Sequence, residues 1–170
     1  KEKVDTSFLP FGLLMEPYVS PDGKKLLIIE PEEAGLYDLE ARNFVRLDTP
    51  DRDGYYSFSD IAYPWSYDSK LFVVGYYISG CFENSHLKCV KTGIFDKEGK
   101  MISSHKPQKP NHHPVRSVWL KNNKNIVFQI TPVSGFGVTD NYLVTFDVET
   151  GSYKKSFVSK KSGLGLSKIT

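Results

Sequence analysis

The two cysteines of the chain, Cys81 and Cys89, lie in the stretch SGCFENSHLKCVKTG together with Glu83 and His86. These side chains are of the types found in metal sites, in catalytic thiol sites and in disulfides. Structural zinc sites use closer cysteine pairs and four ligands, and this spacing does not match them. We therefore expect a disulfide between Cys81 and Cys89, with free thiols or a metal site as alternatives. Closing so short a loop stabilises a fold by about 2–3 kcal/mol.

A disulfide indicates an oxidising compartment. The chain begins at Lys1 and not with Met, which fits either removal of a leader peptide or a trimmed chain. Both observations lead us to expect a periplasmic or secreted protein.

Two further segments contain side chains that bind metals in other proteins. HKPQKPNHH places three histidines close together in sequence, but the prolines and lysines between them favour a solvated connection. TPDRDGYYSFSD resembles a calcium loop through Asp51, Asp53 and Asp60. Thr49 stands where such a loop begins with Asp, and Asp60 replaces the usual bidentate Glu. We expect no metal and no cofactor, and calcium at these aspartates is the alternative.

Motifs for catalysis are lacking in the sequence. The acidic run EPEE, Glu30 to Glu33, offers carboxylates for acid/base chemistry, but a charged turn is the simpler interpretation. VSGFG, Val133 to Gly137, is the nearest match to a nucleophile elbow, and it lacks the flanking strand and helix. Phosphate-binding and dinucleotide-binding glycine motifs do not occur. We therefore expect a protein that binds without catalysing a reaction.

Composition fits one globular domain over residues 1–170. The chain is 39% hydrophobic and 25% charged, with a net charge of +2 from interspersed acids and bases. This charge predicts no nucleic-acid partner. The longest nearly apolar run, Leu71 to Phe82, is too short to span a bilayer. The basic cluster Lys154, Lys155, Lys160 and Lys161 is typical of a solvated edge and tail.

Three segments, residues 18–48, 60–104 and 115–157, repeat one pattern of strand, tight turn, strand, loop, strand, tight turn and strand. Branched and aromatic residues dominate the apolar runs, and Asp-Gly, Glu-Gly, Asn-Asn and Thr-Gly occupy the turns. PEEAGLYDLEARNF is the one segment with a helix-like pattern, and Gly35 and the fit to the repeats argue against a helix there. The sequence thus predicts an all-β fold of three antiparallel four-stranded sheets. We expect a core that includes Leu27, Ile29, Phe72, Val74, Trp119, Val127, Phe128 and Ile130.

SPDGKKLLI at Ser20 to Ile28, followed by LYDLEARNFVRL, resembles a β-propeller blade of the WD-repeat and TolB-like kind, and TFDVETGSYKKSF is similar to the closing half of such a blade. The Gly-His and Trp-Asp signatures of WD repeats are missing. The resemblance implies a propeller-like arrangement. Closed propellers need four or more blades, so three repeats imply either extra strands from the termini or an open, incomplete stack.

In such blades the short turns lie at one end and the longer connections at the other. The long connections are predicted at Asp48–Asp60, Ser79–Thr92, Ser104–Val115 and Pro132–Asn141. Long loops on a rigid scaffold commonly bind partners. We expect the binding residues among them to be Tyr55, Tyr56, Phe82, Glu83, His86, His112 and Phe136, which include types common at protein interfaces.

The leading functional hypothesis is an exported, non-catalytic protein that binds another protein. Small exported β-domains with one disulfide resemble immunity-type inhibitors of bacterial effector enzymes, and this is an analogy of class. The alternative is a ligand-binding, carbohydrate-binding or envelope accessory module, or a fragment of a larger propeller. A hydrolase with a dispersed site is a third hypothesis.

Overall fold

The computed structural model describes residues 17–30, 32–50, 52–57, 63–78, 89–105, 112–132 and 142–157, and every regular element in them is a β-strand. In chain order the strands are β1 (Tyr18–Val19), β2 (Lys25–Ile29), β3 (Ala34–Asp38), β4 (Asn43–Arg46), β5 (Arg52–Ser57), β6 (Leu71–Ile78), β7 (Cys89–Asp96), β8 (Met101–His105), β9 (His112–Trp119), β10 (Asn125–Pro132), β11 (Tyr142–Asp147) and β12 (Tyr153–Phe157). Strands β1 to β4, β5 to β8 and β9 to β12 form three antiparallel sheets, each in chain order. The prediction of three four-stranded antiparallel sheets is confirmed.

The segment PEEAGLYDLEARNF forms strands β3 and β4 and the turn between them. Gly35 pairs with Arg46, and its backbone approaches the ring of Phe44 so closely that a Cβ atom would lie 2.0 Å from the ring. A helix would separate these residues, so the close approach requires the two strands and a residue without a side chain.

The second sheet begins earlier in the chain than predicted. Strand β5, Arg52–Ser57, falls within the segment expected to be a long loop, and it pairs with the end of β6. Farther along the same edge of β6, Trp65 forms an isolated bridge with Phe72. The backbone of 52–57 is therefore extended, which differs from the turning backbone of an EF-hand loop.

Two of the other predicted long connections are also shorter than expected, whereas the third, Pro132–Asn141, agrees with the end of β10 at Pro132 and the start of β11 at Tyr142. Strand β7 already begins at Cys89 and β9 at His112. Cys89 pairs with Ile78 of the preceding strand, and His112 pairs with Pro132 of the following strand. Both pairs lie beyond the residues predicted to form strands, because ladder hydrogen bonds do not depend on side-chain type.

All of the predicted core residues are buried, and all but Val127 fill the spaces between neighbouring sheets. One cluster joins the first sheet, through Leu27 and Leu36, to Phe72 and Phe95 of the second. Another joins Val73 and Ile94, on the opposite face of the second sheet, to residues of the third. Alternate residues of β6 thus face different neighbours, which is the period-two pattern of a strand buried on both sides.

Two tryptophans tie neighbouring sheets together. The indole N–H of Trp65 donates to the carbonyl oxygen of Tyr18 over 3.0 Å. In the same way, the indole of Trp119 donates to the carbonyl oxygen of Pro64 over 2.8 Å. Each tryptophan comes one residue before the turn of its own sheet and reaches back to the preceding sheet.

A second repeated contact involves the left-handed residue of each first turn. Ser69 has φ 60° and Asn123 has φ 56°. The Ser69 hydroxyl accepts from the backbone N–H of Asp22 over 2.9 Å, and the Asn123 side-chain oxygen accepts from the N–H of Tyr67 over 2.9 Å. The first turns of the three sheets therefore lie side by side, and the sheets point in the same direction.

The three sheets form an open stack over the part of the chain that the structure describes, with the second sheet between the first and the third. A search of the same residues for a helix of membrane-spanning length and hydropathy found none. The predicted extra strands from the termini fall outside the described residues.

Candidate binding surface

One end of the stack, which we call the turn end, consists of short turns at 20–24, 39–42, 66–70, 97–100, 120–124 and 148–152. In the first of these turns the Ser20 hydroxyl donates to Asp22 Oδ1 over 2.7 Å and accepts from the N–H of Lys25 over 2.9 Å. Ser66 and Asp68 repeat the hydroxyl-to-carboxylate bond in the second sheet over 2.8 Å. The Ser20 hydroxyl holds the pKa of Asp22 below its usual value. Local polar side chains thus satisfy the backbone of these turns.

The turns between the third and fourth strands are closed by aspartates. Oδ1 of Asp38 accepts from two backbone N–H groups of its turn, and Asp96 and Asp147 do the same in the other sheets. Asn122 plays the corresponding part in the first turn of the third sheet. The aspartates of these turns are therefore engaged in holding the backbone, which leaves the opposite end as the better candidate for binding.

The opposite end, which we call the loop end, comprises the β2–β3 connection at 30–33 and the strand ends at Arg46, Ile78, Cys89, His105, His112, Pro132, Tyr142 and Phe157. Within the EPEE segment, the N–H of Glu30 donates to the carbonyl oxygen of Glu33 over 2.7 Å. Glu33 forms an ion pair with the guanidinium of Arg46. The expected charged turn is thus present, with one carboxylate neutralised by a cation of the neighbouring strand.

A surface cavity of about 360 Å³ opens at this end, where the chain leaves the first sheet for the second. Arg46, Leu47, Asp48 and Thr49 line it. Leu47 is buried and anchors the segment through its N–H, which donates to the carbonyl oxygen of Ala34 over 2.9 Å. The lining combines a cation, an anion and a hydroxyl over an apolar base, which suits a polar peptide segment better than an apolar ligand.

None of the four cavity residues is among the predicted binding residues. Asp48 and Thr49 fall within a predicted long connection, but the aromatic residues farther along were preferred because they are typical of interfaces. The signal available in the sequence is the change from the strand NFVR to the polar run LDTP, which begins the link between two sheets.

The predicted binding residues remain predictions. Tyr55 and Tyr56 lie on strand β5 and His112 begins β9, and for these residues the structure describes the backbone alone. Phe82, Glu83, His86 and Phe136 lie outside the described residues, as do Cys81 and the side chain of Cys89. The described strands on either side of these segments end at the loop end.

His105 has a structural environment that its sequence context did not indicate. It ends strand β8 and is buried, with its ring stacked on Phe128 at 5.1 Å between centroids. Phe146 and Tyr153 complete the surrounding aromatic cluster. Burial lowers the pKa of His105 from 6.5 to about 4, so the imidazole is neutral at pH 7. This histidine joins the second and third sheets.

No set of three or more histidine, cysteine, aspartate or glutamate side chains that could hold a metal ion occurs within the part of the molecule that is described. The solvated connection predicted for HKPQKPNHH is wrong for His105, which ends strand β8 with its ring buried in the aromatic cluster. The aspartates of the calcium-like segment lie outside the described side chains.

Comparisons with solved structures identify β-propeller proteins. Dipeptidyl peptidase 4 of Porphyromonas gingivalis is similar with a TM-score of 0.64 at 12% identity, over 89% of this chain and 27% of that one. The β-propeller domain of the Trilobed protease from Pyrococcus furiosus, described as having an open velcro topology, matches with a TM-score of 0.53 at 20% identity, over 84% and 43%. The acylaminoacyl peptidase of Pyrococcus horikoshii matches with a TM-score of 0.56 at 16% identity, over 84% and 24%.

The chain therefore spans less than half the length of each of these three neighbours. Neither a protein-family model nor a curated protein matches the sequence. At identities this low, the similarity concerns the fold and not the activity. Together with the three antiparallel sheets, it shows that the chain has a β-propeller-like fold in an open arrangement.

Proposed function

We propose that this chain is a non-catalytic propeller module that binds another protein through the loop end. The observation that carries the proposal is the difference between the two ends. At the turn end, short turns and their own side chains satisfy the backbone. At the loop end, a cavity of about 360 Å³ opens where the chain leaves the first sheet, and Arg46 and Asp48 are among the residues that line it. Rigid strands that support an irregular polar end are a common arrangement for recognition.

Asp48 is the best position for testing this surface. Its side chain is exposed and lines the cavity. Glu40, which is also exposed, lies in a turn at the opposite end and provides a matched control. Lysine at either position changes the charge by the same amount, so the two variants differ only in which end of the molecule is altered.

The experiment is capture of partner proteins from extracts of the parent cell by the immobilised chain. We expect wild type and Glu40→Lys to retain the same partner, and Asp48→Lys to bind it at least about tenfold more weakly, because a reversed charge at an interface is unfavourable. Equal binding by both variants, or loss with Glu40→Lys alone, would place the binding surface elsewhere.

A second candidate is a module that forms part of a larger propeller. It is favoured by the coverage of the P. furiosus propeller domain, of which this chain spans 43%. A complete propeller would place the cavity at the end of a ring, and the same end would still be available to a partner.

The more specific role of an immunity-type inhibitor rests on the sequence analogy alone. An exported location rests on the predicted disulfide. Inhibition of a co-encoded effector enzyme by the purified chain tests the inhibitor role. The redox state of the cysteines tests the exported location.

A further inference from the structure

We propose that an acidic segment of another protein docks on two exposed tyrosines of the second sheet, Tyr63 and Tyr67, and on Lys121 beside them. Tyr63 is 67% exposed and Tyr67 is 55% exposed, although the residues between them, 64–66, are all buried. We call these three side chains the tyrosine surface. It lies beside the first turns of the sheets and away from the loop end, so the proposal does not rest on the binding function assigned to the loop end.

The fold itself does not require tyrosine at these two positions. The tyrosines lie two residues before and two residues after Trp65. In the third sheet, Ser117 and Lys121 lie at the same distances from Trp119, and the indole bond to the preceding sheet forms there in the same way. Tyrosine is one of the residue types that contribute most to binding at protein interfaces. Two tyrosine rings that the packing does not need, and that are left exposed, therefore point to recognition.

The backbone that carries both tyrosines is held from both sides. The indole of Trp65, which lies between them, donates to the first sheet, and the carbonyl oxygen of Pro64 accepts from the indole of Trp119 in the third. The N–H of Tyr67 itself donates to the side-chain oxygen of Asn123 over 2.9 Å. Because this segment is already ordered, a partner that binds the two rings loses little entropy in fixing the backbone beneath them.

Lys121 lies next to Tyr67. Asn123, which accepts from Tyr67, belongs to the same tight turn as Lys121, and its own N–H closes that turn with a backbone hydrogen bond of 3.0 Å. The ends of such a turn are less than about 7 Å apart. Lys124, at the end of this turn, forms an ion pair with Glu149. No carboxylate of the described residues pairs with Lys121.

The hydrogen-bonding groups that remain on this surface are mainly donors. Oδ1 of Asp68, next to Tyr67, accepts from a serine hydroxyl and from a backbone N–H, and Oδ2 pairs with Lys70. Oδ1 of Asn122, next to Lys121, accepts from two backbone N–H groups. The ammonium of Lys121 has three donors and no acceptor, and the tyrosine hydroxyls can also donate. The matching partner group is a carboxylate, with an apolar side chain beside it for the rings.

A nucleic acid fits this surface less well than a protein segment. Phosphate backbones bind to proteins through several lysines or arginines arranged along a groove. In the first turns of the second and third sheets, Lys70 and Lys124 are in ion pairs, and Lys121 is the remaining cation of these turns. One such cation beside two aromatic rings suits a single aspartate or glutamate.

The test is selection of short random peptides displayed on phage against the immobilised chain, followed by titration of synthetic copies of the selected peptides. Tyr63→Ser and Tyr67→Ser remove the rings without changing the charge. Tyr153→Ser is the matched control, because Tyr153 is also 48% exposed and lies on β12, away from the first turns. Asp48→Lys, which alters the loop end, separates this proposal from the binding function proposed there.

We expect the selected peptides to carry aspartate or glutamate next to proline or an aromatic residue. They should bind wild type, Tyr153→Ser and Asp48→Lys equally, and at least about tenfold more weakly to the variants at Tyr63 and Tyr67. Lys121→Glu should reject these peptides and bind versions in which lysine replaces the acidic residue, because the charges are then exchanged.

Three results would overturn the proposal. One is a selection that enriches no acidic sequence, or peptides that bind the Tyr63→Ser and Tyr67→Ser variants as tightly as wild type. Another is a single-stranded oligonucleotide that binds more tightly than any selected peptide and is lost in Tyr67→Ser, which would assign the surface to nucleic acid. The third is a wild-type dimer that Tyr67→Ser dissociates, since a second copy of the chain would then occupy the surface.

Discussion

Trp119 and Pro64 are joined across two sheets by a hydrogen bond of 2.8 Å from the indole N–H to the carbonyl oxygen. Trp119 is 2% exposed, so its ring fills the interface while its one polar group finds a backbone partner. A buried indole contributes its apolar area to the interface, and the hydrogen bond of its N–H sets the orientation of the ring. The contact fixes how far the third sheet is rotated relative to the second.

Replacement of Trp119 should destabilise the protein, by an amount that depends on how much of the side chain the new residue retains. Trp119→Phe retains most of the apolar area but removes the donor, and we expect a loss of about 1 kcal/mol in the free energy of unfolding. Trp119→Ala should cost about 3–5 kcal/mol, because it also leaves a cavity. Urea denaturation measures both values, and an unchanged midpoint for Trp119→Ala would contradict the role of this residue in the core.

His105 should make the stability depend on pH between about 6.5 and 4. Its pKa is 6.5 in an unfolded chain and about 4 in the buried site, so in this range the unfolded state binds the proton more tightly. Stability contributed by the neutral ring is complete above pH 6.5 and falls as the pH decreases toward 4, by on the order of 2–3 kcal/mol.

His105→Phe is the matching variant, since it keeps an aromatic ring against Phe128 but has no titrating group. Denaturation at several pH values gives the free energy of unfolding of both proteins. Below pH 6.5 this free energy should fall more steeply for wild type than for His105→Phe, and above pH 6.5 the difference between the two proteins should be constant. A constant difference in the free energy of unfolding over the whole pH range would show that unfolding does not change the pKa of His105.

Gly35→Ala should destabilise the first sheet. The added methyl would lie 2.0 Å from the ring of Phe44 and 2.7 Å from the carbonyl oxygen of Val45. We expect a cost of about 1–3 kcal/mol. In a Phe44→Ala background the cost should decrease, because the ring no longer has to move, and a double-mutant cycle of thermal unfolding measures this coupling. An equal cost in both backgrounds would assign the strain to the backbone contact alone.

Cys81 and Cys89 should form an intrachain disulfide. Cys89 begins β7 opposite Ile78, the last residue of β6, so the predicted bond would close the connection between these strands. Mass spectrometry of the non-reduced protein should give a mass two hydrogens below that of the reduced protein. Two free thiols in protein isolated from an oxidising compartment would contradict the disulfide and the exported location together.

Alanine at Phe82 and at His86 should weaken partner binding, since both are predicted to lie in the connection at the loop end. Lys97→Ala and Lys124→Ala alter the turn end and serve as controls. Because a few central residues carry most of the binding energy, a loss of more than about 1 kcal/mol is expected at one of the first two positions. Titration calorimetry with the captured partner measures the four values, and a loss confined to the lysine variants would reverse the assignment of the two ends.

The sequence by itself determined the strands and the turns, because both depend on neighbouring residues. The continuous apolar runs in KLLII and LFVVGYYI specified strands buried on both faces, and SPDG specified a turn that its own serine and aspartate close. The repetition of these units was enough to predict three similar sheets. The early start of β5 was not predicted, because RDGYYS contains an Asp-Gly turn signal and becomes a strand by pairing with the end of β6.

Only the tertiary structure decided how the sheets are joined and where a cavity remains. Trp65, Trp119, Ser69 and Asn123 each bond a residue 47 to 56 positions away, and no local pattern reveals such partners. The cavity at Arg46–Thr49 likewise arises from how the chain passes from the first sheet to the second. Contacts between sheets depend on how complete sheet faces pack against each other, and these faces combine side chains that are far apart in the sequence.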